Sequence, residues 1–549
     1  MKFSADEHGI YIHGAEKAVR EYMERYMGAS YSKPKDMCKL PRTLGVMEEL
    51  YRNISGIREL PGFMDMGYKL QREEAALLHL QNRQPEPIEG DKLRFYQRQD
   101  AEYLAEVDEA GVFNDPRTGK TPTILTALRL KGRLRNLVVC PASLIWTWER
   151  QTQEWFPEAA VFVIGGKLKA EVVLDQFLGS VKQGVPSVLI VSKNRVGRVP
   201  ALMAVRFDTL VVDEAHFLRN YNTAQSKAIY NIKADQRFAL TGTPTVKHPS
   251  DIYGLLKFMF PKMFTSFWTF AGRYFEEEFN PFNATGKKVG KIKAHRENEL
   301  KKLVALRSVS RKRKDVMPWL PEKEPKTIYA KMGTAQQKAY DEMRSYFMTI
   351  LDSGEQIDAA NALSQLMRLR QLAIDPRTVG GGKPGCKTET LIQWLKDRDQ
   401  AENAPVVVMS MFTSYLNLLK TDLEGEGYKV GMITGEMSGS AKQEAADKFQ
   451  AGELDVILCN TISAGTGWTL DRGDTVIFMD NAWNPSDQEQ AEDRVTPTTP
   501  ERLHAHRIIH IATVDSVDEK MFAILAHKKS LTDILNNNAR DAIRGLLVK

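Results

Sequence analysis

The sequence predicts an α/β protein with two parallel-sheet lobes, a helical basic insert between them and a small N-terminal α+β domain. Three observations predict it. From about residue 92, short β-branched runs alternate with longer amphipathic stretches, the pattern of a parallel sheet covered by helices on both faces. The alternation stops across 263–385, which reads as mostly helical and basic, and then resumes. Ahead of both, Gln84-Pro85-Glu86-Pro87-Ile88-Glu89-Gly90 breaks regular structure and reads as a linker. The expected divisions are therefore 1–88, 89–262, 263–385 and 386–549.

In chain order, the N-terminal unit shows a short strand, Ile10-Tyr11-Ile12, then a helical pattern from Ala15 to Met27. The first lobe's strands are Leu137-Val138-Val139-Cys140, Val188-Leu189-Ile190-Val191, Leu210-Val211-Val212 and Phe238-Ala239-Leu240. The second lobe's are Val406-Val407-Val408, Val430-Gly431-Met432-Ile433, Val456-Ile457-Leu458, Val476-Ile477-Phe478 and Ile508-Ile509-His510-Ile511. The glycine-rich stretch Gly380 to Lys387 has no strand before it and a cysteine, Cys386, where a phosphate-binding loop needs lysine; it reads as a hinge between lobes.

Composition bounds the function. The chain has 549 residues, 42% hydrophobic and 27% charged, which excludes a disordered, collagen-like or membrane-embedded chain. No apolar run nears the roughly 18 residues of a spanning helix. The N-terminus lacks the apolar core of a secretory signal, and Cys38, Cys140, Cys386 and Cys459 lie far apart, so a reducing compartment is expected, without zinc site or disulfide framework. Net charge is +6. From Ala284 to Lys314 there are twelve Lys or Arg against two Glu, a run that reads either as solvated surface or as a phosphate-tracking face.

The chemistry is written at three strand ends. Asp115-Pro116-Arg117-Thr118-Gly119-Lys120-Thr121 follows an apolar stretch and precedes a helical run. Glycine lets the backbone approach phosphates, lysine places a charge on the β and γ oxygens, and threonine offers a hydroxyl to Mg²⁺. The tripeptide alone is equally an ordinary helix start, and Asn114 stands where the loop's first glycine is expected. The strand Leu210-Val211-Val212 then ends in Asp213-Glu214-Ala215-His216, a DEAH box. Asp213 can hold Mg²⁺ and Glu214 can orient an attacking water. Thr241-Gly242-Thr243-Pro244 follows a further strand. Two acids often cap a strand, but the three motifs in this order are hard to attribute to chance. Trp146, Trp148 and Trp155 read as packing rather than base-stacking residues, and Trp483 as structural. For His216, coupling and local packing stand equal.

The ordered set resembles the motor of superfamily-two helicases, and within it the Swi/Snf-type DNA translocases, over about residues 90–535. Leu93-Arg94-Phe95-Tyr96-Gln97 is similar to the segment whose glutamine reads adenine. Val139-Cys140-Pro141-Ala142-Ser143-Leu144 with Trp148-Glu149 is similar to motif Ia, which touches the DNA backbone. Arg311 to Val316 before Leu320-Pro321-Glu322-Lys323, and Leu366 to Pro376, match further family segments. Ser463 to Gly467 resembles motif V, and Asp480 to Pro485 with Gln490-Ala491-Glu492-Asp493-Arg494 runs on into motif VI. Among subfamilies the annealing, fork-remodelling group is closest, and the spare architecture resembles a bacteriophage-encoded member.

The resemblance implies two RecA-like lobes with ATP and Mg²⁺ bound between them. It implies ATP contacts from Gln97, Thr118, Gly119, Lys120, Thr121 and Gly467, and Mg²⁺ held by Thr121 and Asp213. Catalysis falls to Lys120, Glu214 and Arg494, and coupling to His216, Thr241, Thr243 and Gln490. Ser143, Ser192, Arg219 and Thr466 would touch the backbone of duplex, forked or single-stranded DNA. Residues 1–88 would recognise the DNA substrate. The implied activity is a DNA-dependent ATPase acting as a translocase in replication, repair or recombination, monomeric, with replication or recombination proteins as further partners and no membrane. The location would be the cytoplasm of a bacterial host for a phage protein, or the nucleus for a eukaryotic one.

Two departures stand out. Arg117 occupies a family glycine position, and Pro497 occupies that of motif VI's second arginine, leaving Arg494 alone, Arg502 in its place, or a slow ATPase. They keep open an ATP-binding DNA scaffold with little hydrolysis. A strand-separating helicase is the other alternative; an RNA helicase fits the Leu-Pro-Glu-Lys and Trp-Asn-Pro segments less well, and no second acidic cluster supports a nuclease.

Overall fold

The computed structural model describes residues 1–549 except 86–91, 167, 246–247, 280–286, 321–324, 353–358, 399–404, 462–469, 483–484, 498–506 and 527–549. The chain forms two compact units, Met1–Val316 and Met317–Lys549.

The first unit opens with a four-stranded antiparallel sheet of β1 (Lys2–Asp6), β2 (Gly9–His13), β3 (Ser30–Ser32) and β4 (Met37–Leu40), ordered β1-β2-β4-β3. Helices α1 (Lys17–Tyr26), α2 (Leu44–Asn53) and α3 (Phe63–Asn82) accompany it, around a core of Ile10, Ile12, Met23, Val46, Leu50 and Phe63. The predicted strand and helix are both present, set in a larger α+β domain.

Next come α4 (Phe95–Glu106), β5 (Glu109–Val112), α5 (Lys120–Lys131), β6 (Arg135–Cys140), α6 (Ile145–Trp155), β7 (Ala160–Ile164), β8 (Ser187–Ser192), β9 (Arg206–Val212) and β10 (Lys233–Leu240). These six strands belong to a seven-stranded, wholly parallel sheet. Its strands are covered on both faces, which is why β6, β8 and β9 read as continuous apolar runs rather than alternating ones.

The 263–385 stretch differs from the expected helical insert. It contains an antiparallel hairpin, β11 (Phe275–Phe279) with β12 (Lys287–Ile292). It also supplies an edge strand to each lobe. β13 (Ser308–Val309) pairs with β5 to complete the order β13-β5-β10-β9-β6-β8-β7. β14 (Pro325–Ala330) joins the second sheet. The two units divide inside this stretch, and its helices Thr334–Asp352 and Ala359–Ile374 pack Tyr340, Phe347, Leu366 and Leu369 into the second unit's core.

The second unit's parallel sheet adds β15 (Val406–Ser410), β16 (Val430–Ile433), β17 (Val456–Asn460), β18 (Thr475–Phe478) and β19 (Arg507–Thr513), ordered β14-β19-β18-β15-β17-β16. The glycine stretch expected as a hinge lies within this unit, its residues 380–384 exposed and Gly385, Cys386 and Lys387 buried. Gly385 donates its N–H to Asp375, and a Cβ there would lie 2.5 Å from the Ile374 carbonyl. Arg370, from the 366–376 segment, is buried against Asp480 and donates to the Asn481 carbonyl.

The basic run is not a continuous phosphate-tracking face, because packing and ion pairs occupy much of it. Lys288 pairs with Glu278, Lys301 with Glu297, Lys302 with Glu74 and Lys312 with Asp115. Arg307 lies over the Phe260 ring, and burial lowers its pKa. Arg296 enters a network that fastens the N-terminal domain to the first lobe. Arg273, fully buried, holds Glu299 through its Nε (2.8 Å), Glu49 of α2 through Nη1 (2.9 Å) and the Met27 carbonyl (3.1 Å), while Arg296 pairs with both glutamates. A buried pair broken on one side leaves an uncompensated charge. Arg273→Met is therefore expected to lower the first unit's unfolding free energy by about 3–5 kcal/mol, read by urea denaturation.

Candidate functional site

In a parallel sheet every strand delivers its C-terminal end to one edge. The loops after β5, β10, β9 and β6, neighbours in the sheet, therefore emerge side by side. Those loops carry the phosphate-loop motif, Thr241–Thr243, Asp213–Glu214 and Ser143, respectively. The Thr241 N–H donates to the Val112 carbonyl (3.1 Å), and the Asp213 N–H to that of Val139 (2.8 Å). A Cβ on Gly242 would lie 3.0 Å from Pro116, so the β10 loop rests on the phosphate loop.

The phosphate loop is held from three sides. Asp100 of α4 is fully buried. Burial pushes its carboxyl up, and the Arg311 guanidinium beside it pulls it back down. Arg311 Nη2 lies 2.6 Å from Asp100 Oδ1, and Asn114 Nδ2 donates to Oδ2 (3.0 Å). The Arg311 N–H donates to Asn114 Oδ1 (2.9 Å), and the Asp115 N–H to the Arg311 carbonyl (3.0 Å). This explains the missing glycine: position 114 needs an amide to bridge Asp100 and the backbone of Arg311. It also places Arg311 in the scaffold of the loop.

Gly119 caps α5 at φ +85°, and a Cβ there would overlap the Gln97 amide nitrogen. Gln97 Nε2 donates to the Thr118 carbonyl (2.9 Å), as the Tyr96 hydroxyl does (2.8 Å), while Gln97 Oε1 accepts the Arg94 N–H (2.8 Å). The buried Thr118 hydroxyl donates to the Asp115 carbonyl (2.7 Å). Lys120 Nζ donates to the Asn114 (2.9 Å) and Asp115 (3.4 Å) carbonyls, closing over its own loop. Thr121 lies in the first turn of α5. Arg117, at a family glycine position, adopts the left-handed region at φ +68°, as does Glu214 at φ +48°. Strain of this kind concentrates at functional sites.

Asp213 is buried, and its oxygens accept the Trp148 indole N–H (2.9 Å) and the Glu214 N–H (2.8 Å). Burial and then the Glu214 charge push its carboxyl up to about 6; the Trp148 and Glu214 N–H groups and the Lys120 charge act the other way. His216 Nδ1 sits 3.1 Å from Glu214 Oε2 and 3.4 Å from Thr241 Oγ1, and Thr241 Oγ1 accepts the Thr243 N–H (3.1 Å). A chain of contacts thus joins Glu214, His216, Thr241 and Thr243.

Ser143 and Arg219 are half-buried at the ends of β6 and of the short 3-10 helix Ala215–Arg219. Ser192 departs from the expected DNA face: it is buried at the end of β8. In the second unit, Gln490 lies in the helix Pro485–Glu492 and Arg494 just beyond it, its carbonyl accepting the Leu470 N–H (3.0 Å). Val495, Thr496 and Pro497 turn inward and are buried, which is why the second arginine position is not an exposed one. Thr466, Gly467, Trp483 and Arg502 lie outside the described residues. Trp148-Glu149 resembles part of motif Ia and Trp148 reads as packing; its position beside Asp213 becomes visible only when β6 and β9 pair.

A family model described as the SNF2-related domain matches residues 23–378, and one described as the helicase conserved C-terminal domain matches 386–496. The chain belongs to the SNF2-related family. It is 25% identical over 483 residues to a mouse SWI/SNF-related matrix-associated actin-dependent regulator of chromatin, subfamily A member 1, covering 83% of this chain and 44% of that one. It is 23% identical over 496 residues to the yeast (Saccharomyces cerevisiae) ISWI chromatin-remodeling complex ATPase ISW1, covering 85% and 42%. The chain thus spans less than half the length of either relative. A solved Sulfolobus solfataricus SWI2/SNF2 ATPase core in complex with dsDNA aligns at 22% identity and TM-score 0.38, over 84% of this chain and 97% of that one.

Within this SNF2-related chain, Gly119→Ala tests the loop geometry. A Cβ would meet Gln97, and the left-handed backbone costs alanine about 1–2 kcal/mol. Weakened binding of a fluorescent ATP analogue is expected, roughly 10-fold or more, with the far-UV circular dichroism spectrum unchanged.

Proposed function

We propose that this chain is a DNA-dependent ATPase that moves on or remodels duplex or forked DNA in replication, repair or recombination. The gathering of Gly119-Lys120-Thr121, Asp213-Glu214 and Thr241-Thr243 at adjoining strand ends of one parallel sheet carries this reading. Family membership and the relative whose name includes "ATPase" support it.

In this reading Gln97 receives the adenine, and the backbone around Gly119 takes the phosphates at the start of α5, where N–H groups and the helix dipole favour anions. Lys120 leaves the Asn114 and Asp115 carbonyls for the β and γ oxygens. Thr121 and Asp213 would hold Mg²⁺, which commonly takes one or two carboxylates together with substrate phosphates. The donor set fits: Asp213 is a carboxylate whose burial and Glu214 neighbour disfavour its charge, a situation a cation relieves. When bound, Mg²⁺ neutralises phosphate charge during transfer. Glu214 orients the attacking water, and Arg494 is the proposed stabiliser of the transition-state charge. His216, Thr241, Thr243 and Gln490 relay nucleotide state to the DNA contacts. Those contacts, from Ser143, Arg219 and Thr466, go to the backbone and make recognition depend on DNA structure rather than sequence. Residues 1–88 would select that structure.

The buried Pro497 and the left-handed Arg117 favour one second reading, a DNA-bound ATP-binding scaffold with little turnover. One assay separates the two: ATP turnover with no DNA, single strands, duplex and forks, beside Glu214→Gln. The expected outcome is strong stimulation by DNA and a kcat roughly 10²–10⁴-fold lower in Glu214→Gln, with ATP binding retained. Background turnover with every DNA, while ATP and DNA still bind, would overturn the motor and leave the scaffold.

A further inference from the structure

We infer that Trp148 is a positioning residue for the metal–nucleotide site: its indole N–H sets the orientation in which the Asp213 carboxylate meets a Mg²⁺–nucleotide complex. The inference rests on the nucleotide-binding reading above and extends it to a side chain to which that reading gives no nucleotide or metal role.

Trp148 is 1% exposed, the largest fully buried side chain among the described residues. It sits in an apolar cluster with Val138, Cys140, Leu144, Phe156, Ile190 and Val211. A buried tryptophan carries one polar group and needs a partner for it. Here the partner is a carboxylate oxygen at 2.9 Å, Asp213 Oδ2, at the end of the neighbouring strand. The other oxygen takes the Glu214 N–H, so two donors from different elements fix the carboxylate plane. Groups that hydrogen-bond a metal-binding side chain orient it, and losing them commonly costs affinity.

The donor itself is anchored. Trp148 lies on α6, where the Thr152 hydroxyl donates to its carbonyl (2.7 Å). That helix follows directly from the turn Ala142–Leu144, which contains Ser143. The helix that begins at the expected DNA contact therefore also holds the expected metal ligand.

The test compares the affinity of a fluorescent ADP analogue in Mg²⁺ and in EDTA, for wild type and Trp148→Phe, each alone and on an Asp213→Asn background. Phenylalanine keeps an aromatic ring and removes the donor. The strengthening of ADP binding by Mg²⁺ is expected to fall about 10-fold in Trp148→Phe, with affinity in EDTA unchanged. On the Asp213→Asn background the same substitution is expected to change nothing further. Where Trp148→Phe does not fold, Trp148→Met, whose flexible side chain fills irregular space, carries the same readout. A variant that keeps the full Mg²⁺ gain, or loses affinity equally with and without Mg²⁺, overturns the inference while the nucleotide reading stands. A wild type that binds no ADP overturns the nucleotide reading and the inference with it.

Discussion

A buried carboxylate, Asp100, is the constraint on which the first lobe's site depends. A charge in that position is costly unless paired and hydrogen-bonded. The pairing draws together α4, the loop after β5 and the segment after β13 through Arg311 and Asn114. The same Asn114 turns its carbonyl to Lys120. The residues that neutralise Asp100 therefore also set the path of the phosphate loop. Next door, Asp213 is buried too, but its oxygens accept from neutral N–H donors, and of the charges near it Lys120 favours the ionised carboxyl while Glu214 opposes it. One acid is closed off by an arginine; the other is the proposed ligand of a cation.

Most of the architecture was legible in the sequence, for a physical reason. Strands buried on both faces are apolar along their buried length, so β6, β8, β9, β15, β17, β18 and β19 announce themselves by Val, Ile and Leu runs, and β10 by Phe238-Ala239-Leu240. β13 and β14 did not, because a two-residue edge strand such as Ser308–Val309 and the half-exposed Pro325–Ala330 are defined by their partners, β5 and β19, and not by their own pattern. The β11–β12 hairpin was hidden likewise: its exposed Glu276-Glu277-Glu278 and lysines carry no apolar period. The basic run from Ala284 to Lys314 left two readings open by composition, since the acids that match several of its charges, such as Glu49, Glu74 and Asp100, are distant in sequence.

The site was legible where adjacent residues carry it, as in Gly119-Lys120-Thr121 and Asp213-Glu214. It was illegible where tertiary pairing makes it. Trp148 and Asp213 are far apart in sequence, yet the pairing of β6 with β9 sets the start of α6 beside the end of β9. Asn114 looked like a lapse from a motif and is a required amide. Ser192, a DNA-backbone contact by the resemblance, is buried at the end of β8.

The central claim is that nucleotide chemistry at this edge drives movement along duplex DNA. Displacement of a third strand from a triplex tests it most directly, with the protein loaded on the flanking duplex and ATP compared with a non-hydrolysable analogue. The expected result is release of the third strand with ATP only, the underlying duplex staying intact, and none with Glu214→Gln. ATP consumed on DNA without release of the third strand would contradict the claim.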